Sequence, residues 1–211
     1  MYSITLISTV HREIGKCNSN ELYKIIEKIN PEVIFDEIPS SRFNAHFIEQ
    51  SVSTLETGAI ILYMKNYKVN IIPVDNYNFS EIQKGDIDYN KISNNNIDYY
   101  NLCKEQYLLA IQHGFEYINS NQNFQLIERL QAIEREVLEK INDEELTKLF
   151  KTWYEITDKR EIEIICNIYN YCEEHTFDKG LLLIGAEHRN SIINKTKKYN
   201  NEKINWDFNF F

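Results

Sequence analysis

Four short apolar runs stand out along the chain: SITLIS (Ser3–Ser8), EVIFDE (Glu32–Glu37), VNIIPVD (Val69–Asp75) and LLLIG (Leu181–Gly185). None alternates apolar with polar residues as a strand with one wet face does, so they read as strands of a sheet covered on both sides. Between them the period lengthens to that of a helix. SNELYKIIEKIN sets Leu22, Ile25, Ile26 and Ile29 on one stripe, with Ser19 or Asn20 as the expected cap, and STLETGAIILYMKNY gives a second helix. Strand, helix, strand, helix, strand is the order that right-handed crossovers build into a parallel sheet.

From Asn76 to Lys151 no further strand pattern follows. Tyr89 to Tyr100, rich in Asn, Asp and Tyr, is expected to be a loop, whereas NLCKEQYLLAIQHGFEYI and FQLIERLQAIEREVLEKI carry helical periodicity and good helix formers. REIEIICNIYNYCEEH reads as a separate helix returning to the fourth strand. The tail EKINWDFNFF, alternating Ile204, Trp206, Phe208 and Phe210 with polar residues, reads as a last, half-exposed strand. The expectation is one α/β domain over residues 1–211, with a mainly parallel central sheet covered by helices. Residues 76–151 form a mostly helical insertion between the third and fourth strands.

A chain of 211 residues that is 43% hydrophobic can bury a sizeable core. Its formal net charge of −9 leaves no basic stripe to neutralise phosphates, which excludes an electrostatic nucleic-acid binder. Lys195, Lys197 and Lys198 read as a solvated helix face. Cys17, Cys103, Cys166 and Cys172 form no CxxC pair and fit a reduced chain. The N-terminal run lacks the basic region and cleavage site of a signal peptide, and no apolar run approaches the roughly 20 residues that span a bilayer. A cytoplasmic protein without a membrane partner is expected, and the amphipathic insertion is one place where a homodimer could form.

The polar residues that follow the strands carry the chemistry. The first strand leads to His11 and Arg12, the second ends in Asp36 and Glu37 with Arg42 shortly after, the third ends in Asp75, and the fourth leads to Glu187, His188 and Arg189. In an open parallel sheet such carboxyl ends line one edge, where ligands bind. The echo between ITLISTVHRE and LLLIGAEHRNS then reads as two walls of one site. Bland readings stand beside this: Asp36 and Glu37 suit a turn cap, Asp75 precedes Asn76 and suits a turn, and Arg12 and Arg189 suit surface ion pairs. His46, His113 and His175 lie in helical or turn stretches and read as structural.

These motifs resemble those of the TraB/PrgY/GumN group and its relatives, the Tiki-type proteases, the ChaN-like haem-binding proteins and the erythromycin esterases. The early small-x-x-His motif is Ser8, Thr9, Val10 and His11, with Ser where Gly is frequent. The second, a proline before an acidic strand end with a downstream arginine, is Pro31, Glu37 and Arg42. The late Gly-x-x-His motif is Gly185, Ala186, Glu187 and His188, where Gly or Asn is common before the histidine. In DKREIEIICNIY, Arg160 matches an arginine at the start of the helix before that motif, although Lys159 stands where Glu is usual. The resemblance covers residues 3–75 and 155–211 and implies an erythromycin-esterase/ChaN-like fold.

A histidine at a strand end can take a proton from water near neutral pH when a carboxylate fixes its tautomer. His11 is the expected base, with Glu37 orienting it or sharing the proton, His188 facing it as acid or as a second polariser, and Arg42 or Arg160 stabilising an oxyanion. The substrate would be a small molecule or peptide with an ester, lactone or peptide bond. Without a GxSxG elbow or a cysteine beside a base, a covalent nucleophile has no support. His11, Glu37 and His188 are also a set that could hold a divalent metal such as Mn, Co or Zn. The Tiki resemblance implies a metal-dependent protease, and the esterase resemblance implies metal-free chemistry. The ChaN resemblance implies a haem- or iron-binding module, and an inactive regulatory or interaction protein of the same fold is the remaining alternative.

Overall fold

The computed structural model describes residues 1–76 and 87–211. Its elements are β1 (Tyr2–Thr9), α1 (Ser19–Ile29), β2 (Val33–Pro39), α2 (Leu55–Met64) and β3 (Asn70–Asp75). After these come α3 (Tyr89–Asn95), α4 (Ile97–His113), α5 (Phe115–Ile118), α6 (Asn121–Ile141) and α7 (Glu144–Glu174). The chain ends with β4 (Lys179–Gly185), α8 (Arg189–Lys198) and β5 (Ile204–Asp207). The five strands form one parallel sheet in the order β3-β2-β4-β1-β5. β4 therefore enters between β1 and β2, pairing Gly185 with Thr9 and Leu183 with Asp36.

Both faces of the sheet are dry, which is why the strands read as continuous apolar runs. Ile7, Ile34, Leu181 and Leu183 pack under Leu22 and Ile26 of α1 and Ala59 and Ile60 of α2. On the other face Ile4, Leu6, Phe35, Leu182 and Ile184 meet Ile164, Ile165 and Ile168 of α7 and Ile192 of α8. Because side chains alternate along a strand, Asp36 shares the α1/α2 side with Ile34 and Ile38, and Glu37 shares the α7 side with Phe35.

The helices between β3 and β4 carry a third core, built from Ile92, Tyr99, Leu102, Leu130, Val137, Leu146 and Phe150 among others. Of the expected insertion, residues 77–86 lie outside the described residues. The separate helix expected after residue 151 is instead one element: α7 runs unbroken from Glu144 to Glu174, a rod of roughly 46 Å. Its first half joins the third core through Leu146 and Phe150, and its second half covers the sheet through Ile164 and Ile168. No glycine or proline interrupts it. Arg160 consequently sits mid-helix and not at a helix start.

Three further expectations give way. Tyr89–Tyr100 is not a loop: it forms α3 and the start of α4, because Asp88 and Asn96 cap the two helices while Ile92 and Tyr99 are buried. The cap of α1 is Asn18, whose Oδ1 accepts the Glu21 N–H at 3.0 Å, and Ser19 is the first helical residue. β5 stops at Asp207, leaving Phe208 and Phe210 beyond the strand.

Candidate active site

The register of β1, β4 and β2 brings both histidine motifs to one edge. His11 follows β1 on a short exposed turn, and its side chain keeps 59% of its surface exposed. Its Nδ1 lies 3.3 Å from Glu56 Oε1 on the first turn of α2, and the Thr9 hydroxyl donates to that same oxygen at 2.6 Å. Glu37 is the hub of the neighbouring cluster. Its Oε2 accepts the Gly185 N–H at 2.7 Å, and its Oε1 lies 3.3 Å from both His188 Nε2 and Arg160 Nη2. The Arg160 guanidinium also forks onto Asp75, with Nη2 at 2.8 Å from Oδ2 and Nε at 3.2 Å from Oδ1. His188 Nδ1 meets Glu161 Oε1 at 2.7 Å, and Glu161 Oε2 is held by Ser191 and by Lys195 Nζ at 2.7 Å.

His188 thus faces a carboxylate at each ring nitrogen, and only the imidazolium donates from both. Burial works against that charge, but Glu37 and Glu161 outweigh it and lift the ring to about 10. Burial also opposes ionisation of Glu37, yet His188, His11 and the Gly185 N–H hold its carboxyl down to about 2. The Glu56 hydrogen bond, opposed by burial and helped by the Glu37 charge, raises His11 to about 9. Asp36 is less well compensated: burial, then Glu56 and Glu37, push its carboxyl up to about 8 against the weaker pull of the His11 charge and the Glu37 N–H.

Gly185 sits where these groups converge. A Cβ added there would lie 3.3 Å from His11 Nε2, 3.4 Å from Glu37 Oε2 and 3.4 Å from His188 Cδ2. Its φ of −55° suits any residue, so the need for glycine is the close approach alone. Gly185→Ala is expected to keep its circular dichroism and urea midpoint close to wild type while losing about tenfold or more of any activity that uses both histidines. An alanine variant that is fully active would show that the three groups need not converge there.

A cleft of about 530 Å³ opens over this edge, walled by Ile14, Tyr107, Trp153, Gly185 and His188. It shares Cys103, Gln106, Trp153, Glu187 and His188 with a second hollow of about 610 Å³ among the helices. A smaller chamber of about 340 Å³ lies on the α2 side, and His11, Glu37 and Arg160 line both it and the cleft.

Of the residues read from the sequence, His11, Glu37, His188, Arg160 and Asp75 come together at the sheet edge. Asp36 and Arg42 line the smaller chamber, and Glu187 is exposed at the cleft. The partner on His11 Nδ1 is Glu56, where the sequence pointed to Glu37, because Glu37 is engaged on the α7 side by His188 and Arg160. Glu56 and Glu161 are acids that the sequence reading missed. Each is a buried glutamate on an otherwise packed helix face, and that signal is visible only once the buried faces are known. Arg189 is not a surface ion-pairing residue: it is buried, donating to Leu6 O, Asn119 Oδ1 and Phe208 O, and clips the tail to β1. Nor is Lys195 solvated, since it bridges Asp158 and Glu161. His46 is buried with Nδ1 at 2.7 Å from the Thr57 hydroxyl.

The arrangement does not fit a resident divalent metal on His11, Glu37 and His188. Both nitrogens of His188 are committed to carboxylates, and Arg160 already supplies a cation to Glu37 and Asp75. Among the described residues no group of three or more His, Cys, Asp or Glu side chains is placed to share one ion. None of the described helices is long and apolar enough to cross a membrane. Comparison with protein-family models, with curated proteins and with solved structures finds no match for this chain.

Proposed function

We propose that the protein is a hydrolase that activates water on His11, without a covalent intermediate, at an ester, lactone or peptide bond. The observation that carries this reading is the His11–Glu56 pair, with Thr9 fixing the carboxylate, standing beside Gly185 at the mouth of a cleft. Glu56 on Nδ1 selects the tautomer whose Nε2 is a proton acceptor. His11 Nε2 takes a proton as the water oxygen adds to the carbonyl carbon. The resulting oxyanion is stabilised by the positive charge of His188 and Arg160. Collapse breaks the bond to the leaving alcohol or amine, which takes the proton back from His11. Glu37 is a positioning residue here, holding His188, Arg160 and the Gly185 N–H in one frame. The order and strand context of the motifs, similar to those of the erythromycin esterases, support the same reading.

The test is a panel of chromogenic esters, lactones and peptides, with wild type compared to a His11→Ala, His188→Ala double variant purified identically. Turnover on one class by wild type, without a pre-steady-state burst and absent from the variant, is expected. Equal background rates across the panel would overturn the proposal.

A further inference from the structure

The small chamber on the α2 side is built for a ligand of definite chemistry. Its volume, about 340 Å³, suits a short organic group. Ile38, Pro39, Val52 and Leu183 give it apolar walls. Two carboxylates also line it, Asp36 at 2% exposure and Glu56 at 5%, and each keeps one oxygen (Oδ2 and Oε2) without a hydrogen-bond partner among the described residues. A buried carboxylate oxygen without a donor is costly and calls for one. Four lining carboxylates, Asp36, Glu37, Glu56 and Asp75, face three cationic groups, His11 counted as charged, Arg42 and Arg160. His46 adds no charge, because burial and then Arg42 hold it below its ordinary value. Two buried carboxyl oxygens therefore lack N–H donors, the chamber is short of one cation once Asp36 ionises, and its walls suit a methylene chain.

We propose that this chamber is a subsite for a primary alkylammonium group, seated between Asp36 and Glu56. Resting on the hydrolase reading, we further infer that the substrate carries that ammonium on the acyl side of the scissile bond. The geometry supports the connection, since Thr9, His11, Glu37 and Arg160 line both the chamber and the cleft. A short aminoalkyl chain entering the chamber leaves its carbonyl at His11. A divalent metal is the poorer occupant, because among the described residues no third ligand is placed with the two carboxylates.

The binding arm uses n-butylammonium chloride, with sodium chloride and tetramethylammonium chloride at equal ionic strength as controls. Thermal stabilisation by butylammonium alone is expected, with affinity increasing as the pH rises toward about 8 because the cation binds the ionised Asp36. Asp36→Asn, which keeps the shape of the side chain, should weaken binding by about tenfold or more. Glu56→Gln is the second variant and should weaken it likewise.

The kinetic arm compares the p-nitrophenyl esters of β-alanine and butyric acid, which differ by an ammonium in place of a methyl. A preference of about tenfold for the β-alanine ester is expected, and it should collapse in Asp36→Asn. Stabilisation by all three salts alike, or by none, would overturn the subsite whatever the hydrolytic activity. Butylammonium binding without hydrolysis of either ester would leave the subsite standing and sink the hydrolase reading.

Discussion

Replacing His11 with alanine is expected to lower hydrolysis by about 10²–10⁴-fold, the contribution of a positioned general base. The pH profile makes this more than a loss of activity. Only neutral His11 accepts a proton, and the Glu56 hydrogen bond raises its pKa from 6.5 to about 9. Wild-type kcat/KM should therefore climb with pH and level off between those two values, since water around the exposed ring weakens the pairing. Glu56→Gln removes the charge that raises the histidine. Its plateau should be lower and its inflection should move back toward 6.5, an effect that general loosening of the fold would not produce. A His11→Ala enzyme that retains the wild-type rate and profile removes His11 from the chemistry altogether.

The contrast between Glu37 and Glu56 shows how far the sequence can be read. Glu37 ends an apolar run, and strand ends in a parallel sheet gather at one edge, so its place in a site follows from local pattern and a topological rule. The same holds for His11 and His188. What no local pattern states is that β4 slots between β1 and β2, pairing Thr9 with a glycine 176 positions later. Without that register, two carboxylates on successive positions of β2 are equivalent. With it, Glu37 turns to α7, where His188 and Arg160 wait, and Asp36 turns to α2. Glu56 becomes the partner of His11 only because α2 starts against the end of β1. The continuity of α7 was hidden for a related reason. Thr157, Asp158 and Arg160 of its polar stretch border the cavities while Lys159 faces solvent, so the helix looks broken where it passes the site. The loop expected at Tyr89–Tyr100 failed because Asn and Asp serve helix caps as readily as turns.

Glu37→Leu is expected to destabilise the fold by about 3–5 kcal/mol near neutral pH, the cost of removing one partner from a buried charge network. It strips His188 and Arg160 of a shared carboxylate and leaves the Gly185 N–H without its acceptor. The pH dependence follows from two shifts of opposite kind. His188 is raised from 6.5 to about 10, so the stability it draws from its carboxylates is fully present below 6.5 and is lost as pH rises through 10. Glu37 is lowered from 4.5 to about 2, so its contribution is present above 4.5 and is lost as pH falls toward 2. The penalty of the substitution should thus be greatest between 4.5 and 6.5 and shrink on both sides. Urea midpoints of wild type and variant, taken within that window and again near pH 10, measure it directly. A penalty that stays below about 1 kcal/mol in the window, as for an exposed pair, would mean that water and not Glu37 compensates the cations at this edge. A large penalty that does not change up to pH 10 would assign the loss to packing and remove His188 from the charged network. Only a penalty that fades as His188 loses its proton joins Glu37, His188 and the Gly185 turn into one electrostatic unit, the frame on which the proposed chemistry of His11 depends.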